Sequence, residues 1–189
     1  YVASPTKHNK FVTAEGGANA TFTGTLASEA ASYTIAYPYG ISKPDYTFGS
    51  QSLIYNIPAV QVATKNSVDP KAHILVANNV TALTQPIILK NLVSLMTVEV
   101  PAGLKVREIQ VGGAKANNTA ICGWTQYFYS NGNFAIPTGK ETSSVITVVP
   151  QSGQEFIEAG KYYIAVMPRV VDGGITIAYV NEDYKLCKK

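Results

Sequence analysis

Short apolar or alternating runs, each bounded by Gly, Pro, Asn or Asp, recur from one end of the 189-residue chain to the other. Such runs are too short to carry a buried helical stripe, and their period of two sends successive side chains to opposite faces of a strand. The pattern predicts strands over residues 11–13, 20–26, 33–37, 53–57, 74–77, 87–100, 105–111, 120–129, 134–136, 143–149, 161–171 and 175–180. Twelve Tyr, 15 Gly and 10 Pro, with many Thr and Val, suit pleated surfaces joined by turns. The expected fold class is therefore all-β, a sandwich pattern with helix a minor component.

Segment 87–100 reads two ways. Ile88, Leu92, Leu95 and Met96 would line one side of a helix. A strand buried on both faces is preferred, because the segment ends in β-branched residues, Pro101-Ala102-Gly103 follows as a turn, and 105–111 then alternates polar and apolar. Asn78-Asn79 and the stiff Gln85-Pro86 precede it, which places a domain boundary in 81–86. We thus expect two β-sandwich domains, 1–86 and 87–189.

Two dipeptides carry strong turn chemistry, since Asn-Gly and Asp-Gly supply the positive φ angles of two-residue hairpin loops. Asn131-Gly132 should join 127–130 to 133–136 with Tyr129 opposite Phe134, and Asp172-Gly173 should join 161–171 to 175–180.

Charge and chemistry exclude several classes of function. Lys and Arg number 15 against 12 carboxylates, a net charge of +3, and only the tail Lys185, Lys188, Lys189 gathers basic residues. Nucleic-acid binding needs a clustered phosphate-facing surface, so none is expected. No run reaches the 18 or more apolar residues of a membrane helix, and no basic, apolar leader opens at Tyr1, which implies either a cytosolic protein or an export signal already removed. Cys122 and Cys187 are too few for a disulfide scaffold or a four-ligand zinc site, and read as a pair or as two separate thiols.

Catalysis needs converging titratable groups, and the chain has two His and scattered carboxylates. His73 stands at the mouth of a strand. Gly49-Ser50 and Ser152-Gly153 each lack a glycine of the nucleophile elbow, and residues 132–140 have the wrong spacing for a phosphate loop. We expect no enzyme, no cofactor and no metal. Residues 116–139 carry no charge and hold the single Trp in Trp124-Thr125-Gln126-Tyr127-Phe128-Tyr129. Trp124, Tyr127 and Tyr129 form the candidate contact surface, for carbohydrate stacking or protein contact. The same alternation also describes rings that fill a core between two sheets.

The order of the segments adds a resemblance. Phe11, Ala20-Thr21-Phe22-Thr23-Gly24-Thr25-Leu26 and Tyr33-Thr34-Ile35-Ala36-Tyr37-Pro38-Tyr39 come first. Ile57-Pro58-Ala59-Val60-Gln61 and Asp69-Pro70 before Ile74-Leu75-Val76-Ala77 follow, then 89–98 with 106–111, then Lys161-Tyr162-Tyr163-Ile164-Ala165-Val166-Met167-Pro168. In that order they resemble the fimbrillin-like pilins and adhesins of Bacteroides-type bacteria. The resemblance implies transthyretin-like sandwiches, a lipoprotein precursor attached to the outer membrane, and an extracellular fimbrium assembled by strand donation between subunits. It implies no catalytic residue; partners would be other fimbrial subunits and a host or bacterial surface protein or glycan. Membrane contact would come only through the precursor's lipid anchor. The family opens with a strand carrying Trp and Gly-Asp and closes with one entered through an Ala-Gly turn. Neither is seen here, so each domain is expected to lack a terminal strand, leaving an open groove beside 11–13, 20–26 or 53–57. A surface carbohydrate-binding module is the alternative function.

Overall fold

The computed structural model describes residues 2–4, 7–17, 19–39, 46–49, 51–113 and 119–188, without the side chains at 2–4, 7–8, 46 and 186–188. The strands are β1 (Val2–Ser4), β2 (Lys7–Asn9), β3 (Phe11–Val12), β4 (Thr23–Gly24), β5 (Tyr33–Tyr37), β6 (Tyr46–Phe48), β7 (Ser52–Ile57), β8 (Val60–Val62), β9 (Leu75–Val80) and β10 (Lys90–Asn91). They continue as β11 (Ser94–Val100), β12 (Val106–Gly113), β13 (Cys122–Phe128), β14 (Phe134–Ala135), β15 (Thr142–Ser143), β16 (Val145–Val149), β17 (Gly160–Val166), β18 (Ile175–Asn181) and β19 (Leu186–Lys188). No helix occurs among the described residues, so the all-β expectation holds.

One sheet runs β10-β9-β5-β1-β2 and a second β14-β13-β7-β6, with β15 also on β13. A third runs β19-β18-β12-β16-β8, β11 pairs with β17 in a fourth, and β3-β4 form a small ribbon. Side chains tie the layers together. Tyr55 on β7 donates its hydroxyl to Leu92 O just past β10 (2.6 Å), and Lys90 on β10 reaches Tyr127 on β13. Gln61 on β8 bonds the backbone of Ala165 on β17, and Tyr179 on β18 donates to Glu99 O on β11. The architecture is sandwich-like.

Alternation builds the core locally. On β7, Leu53, Tyr55 and Ile57 are fully buried while Ser52, Ile54 and Asn56 are only partly so. Each fully buried apolar side chain contributes roughly 1.5–3 kcal/mol. The buried residues form one cluster that draws on both sides of residue 86. β7 pairs with β13 over six residue pairs, and β8 runs parallel to β16. A cut at 86 would therefore sever three sheets, parting β9 from β10, β7 from β13 and β8 from β16.

Several local expectations are corrected. Segment 87–100 is not one strand: β10 belongs to the first sheet and β11 to the fourth. Leu92 and Val93 are consecutive and both buried, which a strand with one solvent face cannot accommodate, so the chain changes sheets there, with Leu92 N–H donating to Ile74 O (2.8 Å). Nor is β11 buried on both faces. Val98 and Val100 point inward, whereas Leu95, Thr97 and Glu99 are exposed. Segment 20–26 shrinks to β4, all of it exposed. Segment 143–149 divides at Ser144 into β15 and β16, on different sheets. Short strands β1, β2, β6, β8 and β19 arise where no expectation placed any.

Both turn dipeptides bend the chain but with other consequences. In β13–β14 it is Tyr127, not Tyr129, that faces Phe134. The loop has four residues, 129–132, closed by Phe128 N–H to Asn133 O (3.0 Å) and Gly132 N–H to Phe128 O (3.0 Å). Gly132 has φ of 72° while Asn131 is not left-handed, so one positive φ replaces the two of a two-residue loop. The Asp172-Gly173 turn, with Gly174 N–H on Val171 O (3.0 Å), joins two different sheets. β17 has already ended at Val166; Pro168 follows, which has no N–H to extend a ladder.

Candidate functional site

β13 carries the uncharged aromatic segment, and its unbroken pairing with β7 sets which way each of 123–128 faces. Gly123 has φ of 104°, and a Cβ there would lie 2.6 Å from Thr142 Cα and 2.7 Å from Glu141 O. Only glycine fits this left-handed position, and the inward parity differs on its two sides. Cys122 points inward before it, Thr125 and Tyr127 after it.

Tyr127 and Tyr129 thus turn toward β9 and β10, and Trp124 takes the opposite face. The three candidate contact residues do not form one surface. Lys140 Nζ stands 4.5 Å from the centroid of the half-buried Trp124 ring, occupying a face that a sugar would need. Tyr127 is 6% exposed and packs on Phe134 at 5.2 Å and on Tyr129 at 6.1 Å between centroids. The core-filling alternative describes these two tyrosines.

Beside these rings lies a cleft of 210 Å³ lined by Val76, Asn78, Ile88, Lys90, Tyr127 and Tyr129 among others. Lys90 Nζ donates to the Tyr127 hydroxyl at 3.2 Å and lies 5.2 Å from its ring centroid. The Tyr129 hydroxyl is buried without a hydrogen-bond partner among the described residues. Burial pushes its pKa up to about 12, while the neighbouring Thr34 hydroxyl pulls the other way without reaching hydrogen-bond geometry. Thr34 instead donates to Asn78 Oδ1 (2.8 Å). A second cleft, of 280 Å³, lies between β14 and the Met167-Pro168-Arg169 bend, with the buried, unpartnered Thr125 Oγ1 on its wall.

The sheet edges form the other candidate surface, and hydrogen-bond parity shows which are closed. On β8, Ala59 O and Ala63 N–H bond β16, so Val60 and Val62 turn their main chain outward. Asp69 caps that edge: its Oδ2 accepts from Val62 N–H (2.8 Å), Oδ1 accepts from Lys71 N–H (2.9 Å), and the residue is 5% exposed. On β17, Tyr163 N–H donates to Ser67 O, and Ala165 exchanges two bonds with the Gln61 amide (2.7 and 3.0 Å). Those residues turn away from β11. Their cross-strand partners Thr97 and Leu95 must then turn away from β17, and Glu99 with them by alternation. Glu99 C=O receives the Tyr179 hydroxyl at 2.8 Å. The main-chain groups of Leu95 and Thr97 have no partner among the described residues.

The remaining chemistry is structural. Cys122 is a free, buried thiol with Sγ 3.2 Å from Val145 O, and burial pushes its pKa up; no bridge to Cys187 forms, and that side chain lies outside the described residues. Burial lowers the pKa of His73. No group of three or more His, Cys, Asp or Glu gathers for a metal among the described residues. No described helix is long and apolar enough to cross a membrane. The sequence reading missed Gln61, Asp69 and Lys90. Asp69-Pro70 was legible as a turn and Lys90 as a charge inside an apolar run, but their partners lie across sheets.

No family model, curated protein or solved structure matches the chain.

Proposed function

We propose that the chain is a structural or adhesive subunit of a bacterial surface fimbrium, assembled by strand addition in the manner of the fimbrillin-like proteins its segment order resembles. The observation that carries this reading is the outer edge of β11. Seven residues pair in continuous register with β17 on one side, while Leu95 and Thr97 offer unpaired N–H and C=O groups on the other. An edge of this length, taken up only at Glu99 C=O by the Tyr179 hydroxyl, is a template for another strand. Main-chain bonds would supply affinity, and side chains alternating beside Met96, Val98 and Val100 would enter the layer interior. This moves the acceptor from the groove expected beside 11–13, 20–26 or 53–57 to β11. The precursor's lipid anchor and outer-membrane attachment belong to the same reading.

Amide hydrogen exchange on the chain with a synthetic peptide copying the terminal strand of a full-length partner tests it. Leu95 and Thr97 amides should exchange freely in the isolated chain, become protected on peptide binding, and the melting temperature should rise. Protection of both amides in the isolated monomer would sink the proposal, as would undiminished peptide binding by Thr97→Pro.

A further inference from the structure

We propose that the cleft between β9, β10 and β13 binds a single carboxylate-bearing sugar residue, with its carboxylate on the Lys90 ammonium and the Tyr129 hydroxyl. The site goes beyond the assembly reading and does not depend on it.

The cleft presents donors where an anion would need them. Lys90 is the single formally charged residue among its described lining residues. The ion pairs of the described residues are Lys65–Glu158, Lys105–Glu182 and Arg107–Glu155, so Lys90 has no carboxylate partner there. It contacts the Tyr127 hydroxyl and ring. The uncharged run 116–139 supplies β13, β14 and the adjoining loop, which brings Gly132 within reach of Lys90 Nζ. No neighbouring carboxylate from that run competes for the ammonium.

The Tyr129 hydroxyl adds a second donor. A buried hydroxyl without a partner carries a desolvation cost that a ligand oxygen would remove. Its raised pKa keeps the proton in place across the physiological range. At Asn78, the oxygen is taken by Thr34, which leaves the amide N–H groups as further donors. Ammonium, phenol and amide together suit a monoanion that also carries hydroxyls. A phosphate dianion is better matched by an Arg fork or a backbone nest.

Shape and polarity narrow the class. At 210 Å³ the cleft falls below the roughly 300–1,000 Å³ of drug-sized pockets, so it has room for about one ring. Val76 lines its wall and Ile88, 92% exposed, stands at its rim. That apolar side suits the C–H face of a pyranose, while the donors take its carboxylate and hydroxyls. Uronic and sialic acids share this chemistry.

Calorimetric titration of the full chain with glucuronic acid, N-acetylneuraminic acid, glucose and inorganic phosphate tests the site. At least one acidic sugar should bind saturably, more weakly at high salt, and glucose at least tenfold more weakly. Lys90→Met, which keeps the length of the stem on an exposed side chain, should lower acidic-sugar affinity tenfold or more. Tyr129→Phe should lower it several-fold, with both variants folded by circular dichroism and melting. Which acid binds decides between the two sources. Absence of saturable binding by either acid overturns the proposal, and so does equal binding of glucose, phosphate binding without sugar binding, or wild-type affinity in folded Lys90→Met. None of these outcomes bears on peptide capture at β11, so the two proposals fail separately.

Discussion

β8 and β11 both lie at the margin of the sandwich formed by the third and fourth sheets, yet β8 is short and capped at Val62 while β11 is long and open at Leu95 and Thr97. β8 is three residues long, its outward Val62 N–H is held by the Asp69 carboxylate, and its Gln61 amide replaces a strand beside Ala165. β11 is more than twice as long, and along its outer side the Tyr179 hydroxyl reaches Glu99 C=O alone. A short strand capped by a carboxylate cannot recruit another chain; a long one with successive free groups can. The difference lies in where polar side chains happen to land, and each can be removed.

The largest effect should come from Asp69→Ala. It deletes two charge-assisted bonds and strands the Val62 and Lys71 N–H groups, so we expect a loss of about 3–5 kcal/mol in urea unfolding. It should also give β8 an edge like that of β11, seen as concentration-dependent association in sedimentation. A monomer of unchanged stability would mean that Asp69 does not close β8.

Proline placement tests the parity of β11 directly. Met96 turns its N–H toward β17, so Met96→Pro should cost about 3 kcal/mol, whereas Thr97→Pro, whose lost N–H points outward, should cost under about 1 kcal/mol. Equal melting temperatures for the two variants would contradict the assigned register. Tyr179→Phe should cost about 1 kcal/mol by releasing Glu99 C=O, and should speed exchange only near the end of β11.

The smallest effect is a pH dependence that contrasts the two tyrosines. Both hydroxyls are raised chiefly by burial, Tyr179 with Glu99 adding to it and Tyr129 reaching about 12. A group whose pKa rises on folding stabilises the native state fully below its unfolded value, near 10 for tyrosine, and loses that contribution as pH climbs through the folded value. Stability should therefore fall between pH 10 and about 12, and Tyr129→Phe should flatten part of that slope in denaturation curves taken at stepped pH. An unchanged slope would show that Tyr129 titrates as an exposed phenol does.

Much of the strand content was legible because period two and turn residues act over a few residues. Tyr33–Tyr37 is a strand with the predicted bounds, and 53–57 with 175–180 differ from β7 and β18 by single residues. Failures cluster where a distant partner decides. The break at Leu92-Val93 depends on two sheets meeting there, and β8 is too short to signal itself without β16 beside it. Asn131-Gly132 marked a turn, but loop length, and with it the Tyr127–Phe134 pairing, follows from how far β13 continues along β7; Tyr129 N–H still reaches Gln51 O at 3.0 Å. Of the candidate site, the sequence showed an uncharged aromatic segment. Period two by itself puts Trp124 on the face opposite Tyr127 and Tyr129, as the unbroken register with β7 bears out; what the sequence could not show is that Cys122, before the left-handed Gly123, also points inward, since the need for glycine there comes from Thr142 pressing against it.

Composition and alternation by themselves determined an all-β chain, the positions of most turns, and an interior of aliphatic and tyrosine side chains, because these follow from steric and hydrophobic preferences within one segment. Tertiary structure decided which strands pair across residue 86, which main-chain groups Asp69 and Gln61 hold, and that Lys90 meets the Tyr127 hydroxyl in a cleft whose described lining has no carboxylate. Every strand has two edges and two faces of similar local chemistry. Only the residues that arrive from elsewhere in the chain choose which are covered.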